Sequence, residues 1–167
     1  MKPSKDLLDS ALDSLLSKPC WLITGGSGAG SALAFHFGDR VPRTQWLTNP
    51  TLTVEARQFE GEAILYVECP WRIESPAGVI VSWLDAQEGG HEIMNPVRKI
   101  EGEKVARHQR LSPANDLILE FAGGHLLRVF CDQSNPDAGD NYTLFTQSQV
   151  FTNAGGYTLA VAPRARQ

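Results

Sequence analysis

Apolar residues recur along the chain with two different periods. Leu8, Leu12, Leu15 and Leu16 fall at i, i+4, i+7 and i+8, with Leu7 and Ala11 beside them. That spacing places them on one stripe of an α-helix. Asp6, Asp9 and Asp13 take the remaining positions, and two of them suit the positive end of the helix dipole. Ser4 serves as the N-cap and Lys18-Pro19 as the stop, because proline disfavours the helical region for the residue before it. The pattern predicts an N-terminal helix over residues 1–18.

Beyond Pro19 the period drops to two. Residues 20–24 form a short apolar run, and Leu33, Phe35 and Phe37 alternate with Ala32, Ala34 and His36. Residues 41–59, with Pro42, Asn49 and Pro50, read as a connecting loop with one short turn. Residues 62–74 give the longest strand signal. Leu65, Val67, Cys69, Trp71 and Ile73 share one face, and Tyr66, Glu68, Arg72 and Glu74 the other. Pro70 has no N–H for a ladder, so this strand is expected at an edge or bulged. A further strand over 79–84 follows the turn Ser75-Pro76-Ala77-Gly78. Residues 85–102 are polar and Gly-rich, with a short helix near 93–100.

Six more strands are predicted, over 105–111, 116–122, 125–132, 142–146, 149–152 and 157–161. In the hairpin at 116–132, Leu117, Leu119 and Phe121 face Leu127, Val129 and Cys131 only across an odd loop. A loop of three or five residues is therefore expected around Gly123-Gly124, with Glu120 opposite Arg128. Together the elements predict an α+β fold: the helix on a mainly antiparallel β-sandwich or partly closed barrel. It forms one domain over 1–167, with a β-rich body over 20–162.

Composition narrows the function classes. Hydrophobic residues make up 42% of the chain, enough for a core. The 15 basic and 19 acidic residues leave a net charge of −4. That balance lacks the cationic surplus a nucleic-acid binder needs to neutralise phosphates. No window approaches the ~20 apolar residues of a membrane-spanning helix. Asp6, Asp9 and Asp13 interrupt any signal-peptide reading of the start. Cys20, Cys69 and Cys131 are odd in number and far apart, which suits free buried thiols in the cytoplasm.

Candidate chemistry is sparse. Residues 25–30 carry G-x-G-x-G, not the G-x-G-x-x-G of a dinucleotide site, and no lysine follows to make a phosphate loop. The alternating sequence after Gly30 offers no helix N-terminus, so a hairpin connection is the plainer reading and no cofactor is expected. His36, His91, His108 and His125 stand too far apart for zinc spacing, so no metal is expected. Gly26-Ser27-Gly28 lacks the spacing of a nucleophile elbow, and no catalytic constellation emerges. Whether the protein is an enzyme stays open, with the balance against it.

Two features point to a binding surface. Asp132, Asp137 and Asp140 gather in one loop where Pro136 and the lack of a closing Glu argue against calcium. A solvated acidic turn is the plainer reading; a contact for a basic partner, with Tyr142 as its aromatic anchor, is the functional one. Tyr66 and Arg72, on the outward face of the long strand, belong to the residue types enriched where proteins recognise one another.

The segments Gly-Ser-Ala-Leu-Ala-Phe-His-Phe-Gly (30–38), Val-Pro-Arg (41–43), Cys-Pro-Trp-Arg-Ile (69–73), the hairpin over 116–130 and Asp-Asn-Tyr (140–142) carry a resemblance spanning about residues 24–145. They resemble an uncharacterised bacterial β-rich family with a Gly-Ser strand, a Trp-Arg strand and an Asp-Leu-x-Leu-x-Phe hairpin, distantly like small immunity-type proteins. The resemblance carries no catalytic residues. It implies a cytoplasmic accessory protein of immunity or defence type.

The expected function is a non-catalytic protein-binding module that neutralises a toxin encoded nearby by occluding it, with no nucleic-acid or membrane partner. The alternative is a small-molecule-binding protein or enzyme using a pocket in the β-body. A pocket lined by His36, Arg72 or Asp85 with perturbed pKa values favours that alternative, and a closed core beside a flat acidic face favours the binder.

Overall fold

The computed structural model describes residues 4–25 and 30–165. Its body is two antiparallel sheets packed face to face, as the alternation predicted, and they do not close into a barrel. The first six elements are α1 (Ser4–Asp13), β1 (Cys20–Gly25), β2 (Leu33–Pro42), α2 (Val54–Gln58), β3 (Phe59–Val67) and β4 (Trp71–Ser75). Next come β5 (Gly78–Ser82), α3 (Trp83–Gly89), α4 (Met94–Val97), β6 (Val105–Leu111) and β7 (Asp116–Phe121). The chain ends with β8 (Leu126–Val129), β9 (Tyr142–Phe145), β10 (Gln149–Asn153) and β11 (Leu159–Pro163). One sheet has the order β1-β2-β3-β9-β10-β11 and the other β5-β4-β8-β7-β6.

The segment read as one long strand is two strands in different sheets. Leu65, Val67, Cys69, Trp71 and Ile73 are all buried, as the alternation requires. The chain nevertheless leaves the six-stranded sheet after Val67 and enters the five-stranded one at Trp71. Pro70 sits in that crossing rather than at an edge or bulge. It needs no N–H there, and its carbonyl accepts from Phe130 N at 2.8 Å. Trp71 anchors the crossing from inside, donating Nε1–H to the Ser31 carbonyl at 2.7 Å.

Helical pieces cover the edge strands of both sheets, where unpaired backbone groups invite unwanted pairing. Helix α1 rests on β6 and β11, one edge strand of each sheet. Its Leu8 and Leu12 are fully buried. The helix is shorter than predicted, ending at Asp13; Leu15 is buried from the turn that follows, and Leu16 is exposed. The other two edges, β5 and β1, are met by the run from Trp83 to Ile100, which alternates α and 3-10 turns. Only a short helix near 93–100 was predicted there; Ala86, Ile93, Met94, Val97 and Ile100 turn inward and make the whole run part of the core.

The β7–β8 hairpin turns through three residues, with Phe121 N donating to His125 O at 2.8 Å. Gly124 takes φ +90°, open to glycine at little cost. Leu117 pairs with Val129 and Leu119 with Leu127, the predicted inner face. Glu120 stands opposite Leu126, not Arg128, because the tighter of the two odd loops moves the register by two residues. Glu120 instead takes a forked ion pair from Arg107.

Candidate functional site

Where the chain crosses between sheets, α3 lies over the crossing. The helix starts on a local signal: Asp85 Oδ2 accepts from Ser82 N at 2.8 Å and Ser82 Oγ at 3.0 Å, a reach-back of the capping-box kind. Trp83 then becomes the wall between two open grooves. One, of about 500 Å³, is bounded by Arg72, Leu84, Phe130 and Asp132. The other, of about 540 Å³, is bounded by Tyr66, Glu68 and Gln87. Leu84 is 67% exposed and Phe130 37%, so the first groove has an apolar lip. The Arg72 guanidinium lies 5.1 Å from the Phe130 ring centroid. It shares Glu74 with Arg128, at 2.7 and 2.9 Å.

Carboxylates crowd this corner, and its arginines Arg72 and Arg128 are engaged by Glu74. Burial, then the Asp140 carboxylate, pushes the Glu68 carboxyl above its ordinary range. Burial and Glu68 push the Tyr66 phenol up in turn. Among the described residues, Glu68, Asp85, Glu88, Asp132, Asp137 and Asp140 make no ion pair. The loop carrying the last three is tied down from beneath by Asn141, fully buried. Its Oδ1 accepts from Gln133 N at 3.0 Å and its Nδ2 donates to Ala154 O at 3.2 Å. Gly155 lies so close to the loop that a Cβ there would stand 2.2 Å from the Asn135 carbonyl oxygen.

The structure therefore brings together most of the residues singled out from sequence, by a different route. Tyr66 and Arg72 do not share a face of one strand; they belong to different sheets and approach the same tryptophan from its two sides. Asp132 joins Arg72, and Asp140 joins Tyr66 through Glu68. Asp137 is exposed at the tip of the loop. Tyr142 is the exception: it is fully buried, its hydroxyl donating to Asn115 O at 3.0 Å, so it belongs to the core and offers no anchor. Trp83, Leu84 and Phe130 were missed. The Ser-x-x-Asp spacing at 82–85 was the available signal, hidden because residues 79–84 also alternate like a strand.

His36 is buried on the outer side of the six-stranded sheet and accepts from Gly61 N through Nδ1 at 3.1 Å. Burial, with help from Arg43 and Arg164, lowers its pKa to about 4. It shares no pocket with Arg72 or Asp85. His108 and His125 pair with Asp13 at 2.7 Å and Glu103 at 2.6 Å. Among the described residues no three His, Cys, Asp or Glu side chains converge as a metal site, and no helix is long and apolar enough to cross a membrane. Cys20, Cys69 and Cys131 are free and buried. Residues 26–29, which hold most of the glycine-rich stretch and Ser27, lie outside the described residues.

Compared with known proteins, the chain matches no family model, no curated protein and no solved structure. The resemblance over residues 24–145 remains an expectation resting on those residues alone.

Proposed function

We propose that the protein is a non-catalytic binding module whose α3 corner docks on a protein partner with a basic surface and protruding apolar side chains. The observation that carries this reading is the coincidence of unpaired carboxylates with an exposed apolar lip. Trp83, Leu84 and Phe130 supply desolvated contact area of the kind that dominates interface energy. Around them Glu68, Glu88, Asp132 and Asp140 form no ion pair with the described residues, so a cationic partner meets carboxylates that have no salt-bridge partner there. Steering of this kind suits occlusion of a cationic enzyme, such as a nucleic-acid-degrading toxin made in the same cytoplasm. Free buried thiols are consistent with that compartment.

The test is co-expression with the toxic product of a gene adjacent to its own, read as growth rescue and co-purification. The wild-type chain is expected to rescue. Leu84→Glu, at a site 67% exposed, is expected to abolish rescue while circular dichroism and Tm hold. Rescue that survives Leu84→Glu and Trp83→Ser alike refutes the α3 corner as the contact.

A further inference from the structure

From β3 to β11, one cross-strand row on the outer face of the six-stranded sheet is apolar where solvent-facing rows are ordinarily polar; its β2 member is the buried His36. Ile64 of β3 pairs with Phe145 of β9, Phe145 with Val150 of β10, and Val150 with Ala162 of β11. The neighbouring row on the same face runs Tyr66, Thr143, Thr152 and Ala160, with hydroxyls where the first row has only hydrocarbon. Over the apolar row lies an open pocket of about 410 Å³, bounded on one side by Arg43 and Thr44 of the segment that joins β2 to α2. Ile64, Phe145 and Val150 line it, and Arg43, Glu60 and Arg164 stand at its side.

The charges of the described residues in this pocket do not balance. Glu60 accepts from Arg43 Nη1 at 3.1 Å and from Arg164 Nη2 at 2.6 Å, so one carboxylate serves two guanidiniums. The arginine side chains are only 15% and 11% exposed, and water screens the excess charge poorly. Both are held in place: Arg43 Nε donates to Ala56 O at 3.3 Å and Arg164 Nη1 to Thr146 O at 2.8 Å. Arg164 also lies 5.5 Å from the Phe145 ring centroid, directly beside the apolar row. Arg43 Nη2 and Arg164 Nε make no hydrogen bond to the described residues. Among the described residues the site thus sets two positioned guanidiniums against one carboxylate, with guanidinium N–H groups that none of those residues accepts and a hydrocarbon floor.

We propose that this pocket binds a small organic anion, a carboxylate carrying an apolar body. The carboxylate takes the unspent guanidinium donors, in the planar geometry arginine is suited to. The apolar body covers Ile64, Phe145 and Val150, removing them from water. This site lies apart from the α3 corner, at the other end of β3, and its occupancy is independent of the protein–protein reading.

Calorimetric titration of the full chain with octanoate and benzoate, against octanamide and benzamide, tests the proposal. Both carboxylates are expected to saturate at millimolar concentrations or below. The neutral amides are expected to bind about tenfold more weakly or not at all, the loss that goes with one charge-assisted hydrogen bond. Arg43→Gln is expected to weaken octanoate by about the same factor. Because Arg43 also holds the segment joining β2 to α2, Val150→Glu is the second variant. It sets a carboxylate inside the pocket at a half-exposed strand position and is expected to abolish octanoate binding with Tm preserved. Failure of both carboxylates to saturate, equal binding of the amides, or octanoate binding unchanged in Val150→Glu overturns the proposal.

Discussion

The two ends of the six-stranded sheet solve the same electrostatic problem in opposite ways. At the end where β2 leaves the sheet, cations are paired internally: Arg40 with Glu55, Arg43 and Arg164 with Glu60, Lys18 with Glu62. At the end where α3 lies over the crossing, carboxylates stand without ion pairs among the described residues, beside half-buried Trp83 and exposed Leu84 and Phe130. A surface ion pair adds little stability, so the first arrangement is better understood as ordering the β2–α2 segment. The second leaves charge to be neutralised from outside. The contrast separates an end where two guanidiniums share one carboxylate of their own chain from an end where carboxylates form no ion pair among the described residues.

Acidification breaks the comparison most strongly. His36, beneath the arginine end, has its folded-state pKa lowered to about 4 by burial and the neighbouring guanidiniums. The unfolded chain binds that proton with the ordinary affinity of histidine and the folded chain resists it. Unfolding therefore takes up a proton, and stability falls as pH drops from about 6.5 towards 4, by about 3 kcal/mol over the window. Glu68, at the α3 end, has the opposite sign. Its raised pKa means that the folded state accepts a proton more readily than the unfolded one, so acidification relieves an unfavourable charge there. Denaturant midpoints between pH 7 and 4 are expected to fall in the wild type and to fall much less in His36→Asn, whose Oδ1 can accept from Gly61 N. Glu68→Gln is expected to steepen the acid loss slightly.

A smaller effect separates the placement of the acidic loop from its charge. Gly155→Ala forces a Cβ against the Asn135 carbonyl and must push the 131–141 loop outward, at a cost of about 1–2 kcal/mol. It removes no carboxylate. If position as well as charge matters at the α3 corner, partner affinity measured by titration drops in this variant; octanoate binding at the arginine end stays as in the wild type.

What was legible in the sequence follows from which signals are local. The burial of Leu33, Phe35 and Phe37 and the inner face of the β7–β8 hairpin were written in strict alternation, which tertiary context did not alter. The sheet switch at Pro70 was invisible for a physical reason. A chain passing from one inner face of a sandwich to the facing one keeps its apolar period of two, so Leu65 to Ile73 reads as a single strand. The short helix near 93–100 was legible, but α3 ahead of it was not, because inward side chains spread over short α and 3-10 turns give no single helical period. Helix α2 is the short turn expected within 41–59, and Thr53 Oγ1, which caps it by accepting from Ala56 N at 3.1 Å, was the unread signal of its start. At the candidate site, Asp132, Asp140, Tyr66 and Arg72 were found as residue types suited to surfaces. Tyr142 was misplaced because its neighbours are loop-like while its own ring fills the core.

The most direct test of the α3 corner as a charged docking face is the association rate of the complex as a function of ionic strength. The measurement compares the wild type with a variant carrying Asp132→Asn, Asp137→Asn and Asp140→Asn together. Exposed charges act over about 8 Å at physiological salt and less at higher salt. The account predicts that the variant keeps the wild-type Tm, associates more slowly at low salt and shows a flatter salt dependence, the two rates converging as salt rises. Equal rates with equal salt dependence would contradict it.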